Sequence, residues 1–150
     1  MNTFRLFKKA AIASTLILST THAIAQSTPE TNKPLALQKI MRDMGVNMQR
    51  IVDGISREDW KVVEENAALI ATHPQPPVSE KTRIFAFFST DMGKFKGFDG
   101  KTHEAAAKLS QTAASENPSA VISDFADLQK SCLACHQSFR KPFISHFYGM

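Results

Sequence analysis

The stretch NPSAVISDFADLQKSCLACHQSFR, residues 117–140, carries both a long helical signal and the only two cysteines of the chain. Val121, Phe125, Leu128, Cys132, Cys135 and Phe139 advance by four, three, four, three and four residues, which keeps them on one face of an α-helix. Asn117 supplies an N-cap and Pro118 a first-turn proline, so the helix has a defined start. Pro142 is expected to stop or bend it, because proline lacks the amide that the helical ladder needs.

Working back from this helix, a third helix is expected over about 99–114, or from nearer Phe95, with Ala105, Ala106, Leu109 and Ala113 turned inward. Near the other end, PLALQKIMRDMGVNMQRIVDG (34–54) and the next residue place Leu37, Ile40, Met41, Met44, Met48, Ile51, Val52 and Ile55 on one helical face. A second helix follows at once. Its expected cap is the Ser56-x-x-Asp59 pattern, with Trp60, Val63, Ala67 and Ile70 at helical spacing and an end at His73-Pro74. In residues 78–100 the apolar run at 84–88 suits a short helix while Gly93, Gly97 and Gly100 break continuity, and the segment reads as a long, phenylalanine-rich connection. No alternating β pattern of useful length and no internal repeat is present. The expected fold is all-α: an antiparallel four-helix bundle over 35–150, whose ligand sites lie between facing helices.

The first 25 residues stand apart. Arg5, Lys8 and Lys9 precede an apolar run at 10–18, and Ala23-Ile24-Ala25 resembles a cleavage site, the pattern of a secretory signal peptide. Residues 26–34 (QSTPETNKP) read as a flexible N-terminus. The apolar run is too short to span a bilayer, and no later segment is long enough, so no membrane span is expected. The leader holds three of the 18 basic residues and none of the 14 acidic ones. Its removal takes the net charge from +4 to about +1, which gives no case for nucleic acid. An exported, periplasmic protein is the expectation.

Cys132, Cys135 and His136 fall within about a quadrant of the last helix, at roughly 100° per residue. Two sulfurs could anchor one edge of a flat ligand while the imidazole reaches its centre. C-x-x-C-H is the spacing of c-type haem attachment, with both thiols joined to haem vinyl groups and the histidine an axial iron ligand. A redox dithiol normally comes with a βαβ pattern that is lacking, and a disulfide in so tight a ring would distort the helix. Zinc would need a further ligand from His73, His103 or His146, with no recognisable second pair. One covalent haem c is the expected cofactor, and an inert pair of cysteines is the blandest alternative.

Haem iron has a second face, and Met41, Met44 and Met48 share a stripe on the first helix. Residues four or seven positions apart are displaced by about 6 or 10 Å along a helix, so at most one of the three meets the iron. Core packing is the bland reading of such a stripe.

The C-terminal CLACHQSFR, with CxxCH followed by Phe139-Arg140 near the end of a four-helix chain, resembles the class II cytochromes c. The first-helix stretch QKIMRDMG is most similar to their low-spin branch, the cytochrome c-556 type, whose Q-K-[LI]-M motif contains an axial methionine. The resemblance implies Met41 as the ligand opposite His136, hence metal ligands His136 and Met41, and a role for Arg140 beside a haem propionate or the imidazole. A solvated surface arginine is the alternative for Arg140. The family commonly has a tryptophan approaching the third helix, whereas the only tryptophan here is Trp60 in the second. The high-spin branch, cytochrome c prime, leaves iron five-coordinate and implies a gas-binding (NO or CO) or NO-detoxifying protein instead.

Lys130, Arg140 and Lys141 make the motif-bearing end basic, with no acidic residue after Asp127, a feature suited to docking an acidic redox partner protein. His103 reads as an exposed helix residue, His73 as a helix end, and Gly45 as either a point of close haem approach or a tolerated glycine. Bundles of the resembled family often pair through their first two helices, which would make a homodimer. The chain shows no nucleophile with a base, no paired acid and base and no phosphate loop, so the expectation is a one-electron carrier rather than an enzyme.

Overall fold

A computed structural model describes residues 34–150; the expected signal peptide at 1–25 and all but the last residue of the 26–34 segment lie outside the described residues. The described residues form helices and short turns with no strand among them. In chain order these are α1 (Ala36–Ser56), α2 (Trp60–Ala71), α3 (Val78–Phe88), α4 (Met92–Ala114), α5 (Pro118–Cys135) and α6 (Lys141–Tyr148). A 3₁₀ turn (Ser89–Asp91) leads into α4, and a π-helical turn (His136–Arg140) joins α5 to α6.

The four long helices α1, α2, α4 and α5 make the expected all-α four-helix bundle. Tight loops turn α1 into α2 and α4 into α5, whereas α2 and α4 are joined by the longer segment that contains α3. Neighbours α1–α2, α2–α4 and α4–α5 pack along their lengths, but α1 and α5 touch only briefly, so the bundle is open along one seam. The core is built from Ile51, Val63, Ala67, Ile70, Ala106, Leu109, Ala113, Val121 and Leu128, all buried. Fully burying each of the larger of these side chains contributes about 1.5–3 kcal/mol.

The helix starts follow their local chemistry. The Asn117 side chain accepts from the Ala120 amide at 3.1 Å with Pro118 in the first turn, as expected. The start of α2 differs. Asp59, not Ser56, is its N-cap, accepting from the Val62 amide at 3.2 Å. Ser56 ends α1 instead and donates its hydroxyl back to the Val52 carbonyl. Gly54 makes this corner possible: a Cβ there would stand 3.0 Å from Val63 Cγ2 and 3.1 Å from the Asp59 carbonyl oxygen.

One further expectation is corrected, and one is resolved between its two alternatives. The segment 78–100 is not an irregular connection, because it folds as α3, a 3₁₀ turn and the first turns of α4, which starts at Met92, ahead of both Asp99 and Phe95. Gly93, Gly97 and Gly100 lie inside α4 where an added Cβ would meet nothing within 4 Å, so they cost only helix propensity, about 1 kcal/mol each. Against that cost stands a second apolar cluster, in which Ile84, Phe88, Phe139, Phe143 and Phe147 are buried with Leu35. At Pro142, where a stop or a bend is expected, the chain does not stop being helical, but its α-helical ladder is interrupted just before the proline. A proline ring clashes with the carbonyl four residues back and offers it no amide; the π turn just before it widens the ladder, and α6 runs on to Tyr148.

Candidate functional site

The open seam between α1 and α5 is a cavity of about 890 Å³, within the roughly 300–1,000 Å³ usual for ligand pockets. Met41, Met44, Gly45 and Met48 of α1 form one wall. Opposite stand Cys132 and Cys135 of α5 with His136, Phe139 and Arg140 of the π turn. Phenylalanines 88 and 95, from α3 and α4, close its base, and Tyr148 of α6 reaches it as well. All five residues singled out by motif and resemblance, Cys132, Cys135, His136, Met41 and Arg140, therefore line one cavity.

The two cysteines bridge the two apolar clusters. Cys132 packs against the bundle core and Cys135 against the phenylalanine cluster, and both are free thiols. Burial raises the Cys132 thiol above its ordinary value. Burial, then the Asp99 and Cys132 charges, push Cys135 up to about 11. Both sulfurs are thus protonated at neutral pH, the opposite of the lowered value that activates a thiol for disulfide exchange. A dithiol role is disfavoured on that ground. Desolvation, and then the Arg140 guanidinium, hold the His136 imidazole below its ordinary value, which keeps it in the neutral form that can bind a metal.

The three methionines of α1 are not equivalent. Met44 and Met48 pack against the bundle core, whereas Met41 is 39% exposed and belongs to neither cluster while lining the cavity. Gly45 leaves open space where its side chain would be, on the same wall. Around the cavity stand the cations Arg42, Lys81, Lys96 and Arg140 with a single carboxylate, Asp99. Flat apolar walls, two neutral thiols, a neutral imidazole and a basic rim fit the porphyrin face, vinyl groups, iron and carboxylates of a haem. Lys130 contributes less to the basic end than its sequence position implies, since it pairs with Asp127 at 3.1 Å.

Sequence reasoning missed one set of polar residues beside this cavity. His103 is not simply exposed; its ring stacks on that of His73 with centroids 4.5 Å apart, and Asp99 faces both. His73 and Asp99 also line the cavity. The facing His73 imidazole holds the Asp99 carboxyl below the usual range against the effect of burial, and Asp99 in turn raises His73. Spacing signals only half of this group, the Asp99/His103 pair one helical turn apart, because His73 arrives from the end of α2.

Among the described residues no helix is long and apolar enough to cross a membrane. Comparison with curated proteins and with solved structures returned no match. The family model described as Cytochrome C′ matches residues 36–140, which span α1 to the last residue of the π turn and include the whole CxxCH motif. With an open-seamed helical bundle and a cavity suited to haem beneath that match, the chain belongs to the Cytochrome C′ family of class II c-type cytochromes, which carry covalently bound haem c.

Proposed function

We propose that this protein is a periplasmic, single-haem cytochrome that passes electrons one at a time between redox partner proteins, with His136 and Met41 as the axial pair of a low-spin iron, as in the c-556 branch. Met41 carries the reading. It lines the same cavity as His136, and unlike Met44 and Met48 it is not engaged in the core. A thioether that leaves its core and turns toward a metal site is more readily explained as a ligand than as packing.

Cys132 and Cys135 would hold the haem through two thioether links, one pair of cysteines for one haem. The haem, when bound, supplies reversible one-electron exchange between ferric and ferrous iron. Everything else belongs to the chain. His136 and Met41 would hold the iron, and the soft sulfur of Met41 would favour the ferrous state and raise the potential. Phe88, Phe95, Phe139 and Phe143 keep water from the base of the cavity. Arg140 would hold a haem carboxylate, and with Arg42, Lys81 and Lys96 it gives the cavity rim a positive face that suits an acidic partner. The leader at 1–25 is the ground for a periplasmic location.

The optical spectrum of the haem-loaded protein, oxidised and reduced, tests the assignment. Low-spin bands with a weak far-red charge-transfer band, lost in Met41→Ala, are expected. A high-spin spectrum in the parent protein would overturn His/Met ligation and favour a five-coordinate, gas-binding cytochrome.

A further inference from the structure

The group formed by His73, Asp99 and His103 has a chemistry that the haem site does not use. His73 follows α2 directly, while Asp99 and His103 sit one turn apart on α4 and so share a helix face. One ligand atom from each of the three lies within 4.8 Å of the others. The His73 and His103 Nε2 atoms stand 3.7 and 3.6 Å from the two oxygens of Asp99, one on each. These distances exceed hydrogen bonds but approach the separation of donors around one ion, about 3.3 Å for bonds of 2.0–2.1 Å in tetrahedral array.

The other nitrogen of each ring sets the chemistry. His103 Nδ1 lies 2.6 Å from the Ala71 carbonyl oxygen, and His73 Nδ1 lies 3.1 Å from that of Pro74. A carbonyl oxygen only accepts, so both Nδ1 atoms carry hydrogen and donate it. In the neutral rings both Nε2 atoms then present lone pairs, and both lone pairs look at a carboxylate. Backbone carbonyls that fix the tautomer in this way are the usual second partners of metal-bound histidines. The His73 ring is also the buried one: its side chain is 7% exposed, and its Nε2 has no hydrogen-bond partner. Lone pairs and a negative charge facing one another across such a gap are compensated by a positive charge between them, either a proton on His73 or a metal ion.

We infer that His73, Asp99 and His103 form a second metal site, which takes a divalent transition ion of the zinc type through two Nε2 atoms and one carboxylate. Two imidazole nitrogens and one oxygen suit zinc better than calcium or magnesium, which prefer all-oxygen shells. Three protein ligands leave a further coordination position open, and the 29% exposure of the His103 side chain gives an ion a way in. The site ties the end of α2 to the middle of α4 beside the haem cavity, since His73 and Asp99 line both. It does not depend on the spin state or axial methionine of the haem iron.

The test is isothermal titration of the haem-loaded protein with Zn2+ in excess Mg2+, where bound haem keeps His136 and both cysteines from competing. One Zn2+ is expected to bind, with affinity lowered about 100-fold or more in His103→Ala and in Asp99→Asn, and unchanged in His146→Ala. Far-ultraviolet circular dichroism and the Soret band check that each variant is folded. If His103→Ala fails to fold, X-ray absorption at the zinc edge of the loaded parent decides. A shell with two imidazole nitrogens at about 2.0–2.1 Å supports the site. Absence of binding, equal competition by Mg2+, unchanged affinity in folded His103→Ala, or a shell with fewer than two imidazoles would each overturn it, and a proton on His73 would then be what stands between the groups.

Discussion

The backbone amide of Ala36 donates to both carboxylate oxygens of Glu80, at 2.8 and 2.7 Å. Leu35 gives α1 no side-chain cap, so a residue of α3 caps α1 from outside it. The contact matters for the cavity, because it pins the first turn of the helix that carries Met41 to the helix that carries Phe88. An anionic partner at a helix N-terminus is stabilising through both the hydrogen bonds and the helix dipole. Glu80→Ala is expected to lower unfolding stability by about 1–2 kcal/mol, measured by chemical denaturation of the haem-loaded protein. It should also weaken the far-red band, since Met41 lies in the turn next to the freed one. An unchanged denaturation midpoint would show that solvent caps α1 equally well.

The difference between Met41 and Met48 gives a crossed prediction. Met48 packs against the bundle core, so Met48→Ala leaves a cavity and is expected to cost about 2–3 kcal/mol while keeping the low-spin spectrum. Met41→Ala is expected to do the reverse to the spectrum, converting it to high spin, with its effect on helical packing small because Met41 belongs to neither cluster. The two variants are compared by optical spectroscopy and denaturation in parallel. If Met48→Ala changes the spin state and Met41→Ala does not, the ligand assignment moves one helical turn pair along α1.

The bundle was legible because α1, α2 and α5 each carry an apolar stripe at helical spacing, a strong signal even though Met41 and Val52 of the α1 stripe are exposed. CxxCH was legible for a different reason: its chemistry depends on local spacing alone. What escaped depends on partners distant in sequence. Glycines 93, 97 and 100 weigh against a helix when read locally, but they occupy open positions and Phe95 and Phe98 pack into the second cluster, so tertiary burial overrides propensity. Ser56 and Asp59 are both good caps, and only the close approach at Gly54 decides that the turn belongs before Asp59. His73 lay at a recognised helix end, yet nothing in its own neighbourhood points to His103, with which it stacks.

Gly54 offers a test of that corner. Its missing side chain leaves room for Val63 and for the Asp59 carbonyl, and the Asp59 amide donates to the Gly54 carbonyl at 2.9 Å across the same turn. A valine there must push against backbone as well as side chain. Gly54→Val is expected to destabilise by about 2–3 kcal/mol in denaturant, whereas a valine at Gly97, where nothing lies within 4 Å, should have little effect. Equal effects at the two positions would mean that α1 and α2 can separate at the corner without cost.

Asp124 makes the stability of the bundle sensitive to acid. Its side chain is 6% exposed in α5, and it accepts from Thr112 Oγ1 at 2.6 Å and pairs with Lys108 Nζ at 2.7 Å, both on α4. Burial opposes its ionisation, but the hydrogen bonds from Lys108 and Thr112 outweigh that and hold the carboxyl below the usual range. A carboxyl with a lowered value in the folded state stabilises the fold fully above its unfolded value of about 3.9, and the contribution fades as pH falls through the lower folded value. Asp124→Asn is therefore expected to cost about 1–2 kcal/mol between pH 5 and 8, where the parent carboxylate is charged. The gap between parent and variant should narrow below about pH 4, as the parent carboxyl takes up its proton. Urea denaturation of both proteins across this range measures it. A gap that widens as pH falls would reverse the sign and require Asp124 to be stabilised in its protonated form.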